Sequence, residues 1–134
     1  MIAIGASTGR TEAITEVLPQ LPRETPGIVI TQHIPAGFSR AFATRLNQIC
    51  ALDVKEAEDG DALSAGRVLV APGDLHMVLR KNGDGYHVAV NTGPRVCYQR
   101  PSVDVLFSSV AESAGPRAVG VRSPAWVRMA HKGC

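Results

Sequence analysis

Apolar positions in this chain fall into short runs without alternation, separated by stretches with helical spacing. Ile2 to Ile4 reads as a short strand, and Thr11 to Leu18 as a helix with Ile14, Val17 and Leu18 on one face. Pro19 and Pro22 close that segment. Gly27 to Thr31 is a second strand, apolar throughout, as expected where both faces of a sheet are covered. Ser39 to Ile49 follows as a helix with Phe42, Leu46 and Ile49 on one stripe. Val54 to Ala57 reads as a strand, and Glu58-Asp59-Gly60-Asp61 as a turn. Arg67 to Ala71 is a strand ending at Pro72-Gly73. Met77 to Lys81 and Tyr86 to Val90 flank Asn82-Gly83-Asp84-Gly85, a hairpin signal. Val103 to Ala114 is a helix with Val103, Leu106, Phe107 and Val110 inward, and Ala118 to Val121 reads as a further buried strand.

Strands alternating with helices predict an α/β fold: a doubly wound, mostly parallel sheet with helices on both faces. Ligands bind such sheets beyond the carboxyl ends of the strands. Two loops leave there early, GASTGR and QHIPAGF, and they place Ser7 and His33 on one rim. Neighbouring strands lie about 4.8 Å apart, so the two side chains can meet if their strands are adjacent.

Ser7 has three readings. It caps the following helix, belongs to a phosphate cradle, or is a nucleophile. GxGxxG, GKS and GKT are absent, which weakens the cradle. Gly5-Ala6-Ser7-Thr8-Gly9 has the GxSxG form and the strand-to-helix setting of a nucleophile elbow. A serine attacks only when a base takes its proton, and neutral imidazole does so near pH 7. His33 is the candidate base and His76, in APGDLHM, its rival; His87 and His131 read as bystanders.

Bulk composition narrows the classes. At 134 residues the chain is one domain or part of one, and its 45% hydrophobic content suffices for a core. A net charge of +2 argues against nucleic acid or an anionic membrane as partner. An aromatic content of 4% argues against a base-stacking surface. No apolar run approaches the roughly 18 residues of a membrane-spanning helix, and no charged leader precedes the first strand, so a cytoplasmic location is expected. Cys50, Cys97 and Cys134 are odd in number and widely spaced, which fits a reducing compartment and offers no zinc-ligand spacing.

Four ordered blocks then carry a resemblance: IAIGASTG, ITQHIPAGFSRAFATRLNQ, GRVLVAPGDLHM and RPSVDVLFSSVAESAG. Together they resemble the catalytic domain of CheB-type chemotaxis protein-glutamate methylesterases, from Ile2 to about Val121. The resemblance implies a Ser-His-Asp triad that hydrolyses methylated glutamyl side chains on chemoreceptor helices, and often deamidates receptor glutamines. Ser7 matches the nucleophile and His33 the histidine; Thr8, beside the nucleophile, is positioned to help an oxyanion site. No metal or organic cofactor is implied. The implied partners are methyl-accepting chemotaxis receptors, with a separate receiver domain or histidine-kinase pathway upstream. Arg10 stands where the family usually has a second glycine, and no receiver domain precedes the first strand.

The end of the chain departs most. After a strand such as AVGV the family continues close to LTGMGADGA, whose aspartate completes the triad; here the residues are RSPAWVRMA, and no Asp or Glu occurs from Arg117 to Cys134. Codon overlap accounts for this. Shifted by one base, Trp126-Val127 must read GGT and Met129-Ala130 must read GGC, both glycine; the overlaps from Arg122 to Trp126 can supply Leu, Thr, Gly and Met, and those from Val127 to Met129 Ala and Asp, spelling LTGMGAD followed by glycine. The expected organisation is therefore a partial catalytic domain over 1–121, with an out-of-frame tail over 122–134, a sheet incomplete at its C-terminus and no triad aspartate. Two further readings stand beside an esterase by descent: a catalytically dead receptor-binding fragment, and a phosphate-binding α/β module.

Overall fold

Burial on both sides of β2 (Ile28–Gln32) organises the molecule: all five of its residues are buried. The computed structural model describes residues 1–6, 11–32, 37–73, 75–83, 85–91, 103–115 and 118–122. Around β2 lie β1 (Ile2–Ala6), β3 (Asp53–Glu56), β5 (Arg67–Val70) and β8 (Val119–Arg122). They form a parallel sheet in the order β3-β5-β2-β1-β8. A second, antiparallel sheet joins β4 (Ala62–Leu63), β7 (Gly85–Asn91) and β6 (His76–Asn82) in that order.

Alternation along β2 sends its side chains to two cores. Ile28 and Ile30 join Val54, Val68 and Val70 beneath helices α1 (Thr11–Val17) and α2 (Phe38–Ile49), which contribute Ile14, Ala43 and Leu46. Val29, with Ala3 and Leu69, meets Leu79 and Val88 of the small sheet and Leu106 and Val110 of α3 (Val103–Ser113). Helices thus cover both faces of the parallel sheet, as the sequence predicts. Leu46 and Leu106 are fully buried, and each such side chain stabilises the fold by about 1.5–3 kcal/mol.

Several boundaries and faces differ from expectation. Val17 is not inward but 53% exposed: α1 ends there, and the chain tightens into a 3₁₀ turn at Leu18–Gln20 with Pro19 inside it. Ile14 and Leu18, expected on the same face, are buried. In α2 the sheet-facing row is Ser39, Ala43 and Leu46, so Ile49 lies one position off it and is 46% exposed. β8 is an outer strand, paired among the described residues with β1, and Val119 is 60% exposed rather than buried. Strand β4 escapes sequence pattern because it has two residues. The hairpin forms as predicted, with Asn82 opposite Gly85 and Gly83 at φ 61°, the left-handed conformation its tight turn needs. The side chains of Val103 and Phe107 lie outside the described set.

Candidate active site

β1 and β2 are adjacent and parallel, with Gly5 opposite Thr31 and Ala6 opposite Gln32. Their carboxyl ends therefore reach one rim in register. β8 lies on the other side of β1 from β2, so the strand order reverses direction at β1. Open parallel sheets place their ligand crevice at such a switch point, beyond the strand ends. Ser7 is the residue after Ala6, and His33 the residue after Gln32. Ser7, Thr8 and His33 themselves lie outside the described residues, as does Asp74.

The described part of the rim holds a polar cluster that sequence reasoning missed. Ser39, in the first turn of α2, is fully buried. Its hydroxyl donates to Glu56 Oε2 at 2.5 Å and accepts from the Gly73 amide at 2.8 Å. Glu56 ends β3, and Gly73 follows β5. One hydroxyl thus ties the start of α2, six residues after His33, to the ends of two strands. The contacts span 17 and 34 residues in sequence, and no local motif announces them.

Gln32 and Thr31, at the end of β2, are 2% and 1% exposed. Among the described residues, neither the Gln32 amide atoms nor Thr31 Oγ1 has a hydrogen-bond partner. Buried polar groups are normally paired, so unpaired ones at a strand end beside a candidate site store free energy there.

The remaining titratable candidates divide clearly. His76, the rival base, opens β6 opposite Asn91 and is buried. His87 sits within β7, opposite Arg80 and Ala62. Asp59 accepts the Val90 amide. Asp61 accepts the Glu58 amide and pairs with Lys55 at 3.0 Å. Burial works against ionisation of Asp61, but the Glu58 amide, Lys55 and Arg67 outweigh it and hold its carboxyl below the usual aspartate range. Asp53 starts β3, at the amino end of the sheet, 3.8 Å from Arg67. These three carboxylates serve turns and strand starts. Among the described residues no group of three or more His, Cys, Asp or Glu is placed to hold a metal ion. Cys50, whose thiol burial pushes up, lines a cleft with Arg23, Asn47 and Gly66 near the start of β3. Among the described residues no helix is long and apolar enough to cross a membrane.

Comparison with known proteins gives one family. Residues 2–122 match the model of the CheB methylesterase family. A protein-glutamate methylesterase/protein-glutamine glutaminase of Sulfurimonas denitrificans is 56% identical over 121 residues, covering 90% of this chain and 34% of the relative. One of the same name from Salmonella typhimurium is also 56% identical over 121 residues, covering 90% and 35%. The chain spans about a third of the length of these curated relatives. The crystal structure of the Thermotoga maritima CheB methylesterase catalytic domain superposes with a TM-score of 0.86 at 34% identity, over 90% of this chain and 65% of that one.

Proposed function

Because this chain belongs to the CheB methylesterase family, we propose that it is by descent a protein-glutamate methylesterase with a serine nucleophile, acting in the cytoplasm on methyl-accepting chemotaxis receptors. The observation that carries the reading is the parallel pairing of β1 with β2, Ala6 opposite Gln32. It supports the reading because Ser7 follows β1 and His33 follows β2 directly in the sequence.

The chemistry follows from the residue types. Ser7 Oγ attacks the carbonyl carbon of the glutamyl methyl ester while His33 takes its proton. Thr8, through its amide or hydroxyl, stabilises the negative charge on the carbonyl oxygen. Collapse of the tetrahedral adduct expels methanol, which receives the proton from His33. Water then attacks the acyl-serine, again with His33 as base, and frees the glutamate. Glutamine side chains, losing ammonia instead, are accommodated by the same steps.

The tail over 122–134 is read as out of frame, on the codon overlap of Trp126-Val127 and Met129-Ala130. The serine–histidine pair then lacks its aspartate. In serine proteases replacement of that aspartate costs about 10⁴ in rate by leaving the imidazole in the wrong tautomer. Slow turnover is therefore expected of the 134-residue chain, and fast turnover of a version with the frame restored.

A fluorophosphonate probe tests the nucleophile. Labelling of the frame-restored protein at Ser7, lost in Ser7→Ala and accompanied by methanol release from methylated receptor, is the expected result. Labelling that persists in Ser7→Ala removes Ser7 from the mechanism.

A further inference from the structure

Helix α2 presents a second row of side chains beside the one that packs on the sheet. Phe38, Phe42, Arg45 and Ile49 recur at intervals of four, three and four. Phe38 is 65% exposed and Ile49 46%, Arg45 is exposed, and Phe42 is half-buried. A single exposed apolar residue is ordinary. A row at this spacing is how one helix offers itself to another. Phe38 starts the row at the rim, five residues after His33, and twelve helical residues carry it about 18 Å away from the site.

Charge selects the occupant. α2 contains Arg40 and Arg45 and no acidic residue. Both arginines are exposed, and among the described residues neither pairs with a carboxylate. A substrate segment bearing glutamyl esters is anionic wherever its glutamates are free, and each turnover adds one carboxylate. We propose that the row Phe38–Phe42–Arg45–Ile49, with Arg45 as its charged member, docks an acidic helical segment of the substrate protein and leads its ester to the rim. The inference rests on the methylesterase reading above and adds to it the surface that holds the substrate.

The test is binding, which needs no turnover. The probe is a fluorescent, glutamate-rich helical peptide carrying one γ-methyl ester, titrated with the 134-residue chain and followed by anisotropy. Phe38→Ala and Arg45→Glu are expected to weaken binding about tenfold each. Added salt weakens the parent and has a smaller effect on Arg45→Glu. Val17→Ala, an exposed apolar position on α1, leaves binding unchanged. Circular dichroism checks that each variant keeps its helices. The proposal is overturned if the peptide does not bind, if Phe38→Ala and Arg45→Glu bind within twofold of the parent, or if Val17→Ala weakens binding equally. Fluorophosphonate labelling of Ser7 reports separately on the catalytic reading. Labelling without peptide docking removes the surface alone, and docking without labelling removes the nucleophile.

Discussion

Replacing Ser39 by alanine strips one oxygen from the rim and leaves two groups unpaired. Ser39 is fully buried, donates to Glu56 and accepts from the Gly73 amide. A hydrogen bond to a charged group contributes about 1.5–3 kcal/mol, and an orphaned buried amide costs about 1–3 kcal/mol. Alanine returns about 0.5 kcal/mol through its helix propensity. The expected net loss is about 3 kcal/mol. At a urea dependence of about 2 kcal/mol per molar, the unfolding midpoint falls by roughly 1.5 M. Glu56→Gln keeps an acceptor for the hydroxyl and loses only its charge, so it should cost about 1 kcal/mol. Circular dichroism during urea titration of Ser39→Ala, Glu56→Gln and the double variant measures both the loss and the coupling. A loss under about 1 kcal/mol, or strictly additive single effects, refutes the idea that this hydroxyl joins α2 to the ends of β3 and β5.

Gln32→Leu removes a buried amide that has no partner among the described residues; the urea midpoint should rise, by about 1 kcal/mol in stability, and a fall would mean the amide is satisfied in solution. Gly66→Ala should lose about 2 kcal/mol or more on the same titration, since φ is +81° and a Cβ would sit 2.6 Å from the Arg23 carbonyl oxygen; an unchanged midpoint would contradict that backbone. Asp61, with its pKa held below the usual value, adds stability that is fully present above the ordinary aspartate pKa of about 3.9 and is lost as pH falls through its lower folded value. Asp61→Asn should therefore flatten the acid limb of a stability–pH profile, by a small amount given its exposure to solvent, and an unaltered limb would remove Asp61 as a contributor. His33→Ala in a frame-restored protein should cut methanol release by several orders of magnitude and His76→Ala by less; the reverse order would reassign the base.

The parallel core was legible because β2 and β5 are unbroken apolar runs, which need both faces covered. The two-residue strand β4 was not legible, since it has no periodicity to read. Faces went wrong at Val17 and Ile49, both at helix ends, where a change of pitch or the last turn rotates side chains off the stripe. For the candidate site, chain order anticipated that the strands preceding Ser7 and His33 could be neighbours, and β1 and β2 do pair in parallel. The Ser39–Glu56–Gly73 cluster was invisible, since a buried serine and an exposed capping serine look alike in sequence. The unpaired Gln32 amide was equally silent: a glutamine ending a strand reads as polar surface until the fold covers it.

β1 takes its two neighbours from very different parts of the chain. Ile2 pairs with Ile28 on one side and with Val119 on the other. Closing the longer loop costs about 1.3 kcal/mol more in chain entropy than closing the shorter one. Translation at about 5–20 residues per second supplies the first partner within seconds and the second on the order of ten seconds later. During that interval one edge of a central strand carries unpaired amides and carbonyls, the form that recruits foreign strands. Nascent chains of this domain are therefore most exposed to mispairing, and most in need of a chaperone, after β2 has docked and before β8 arrives.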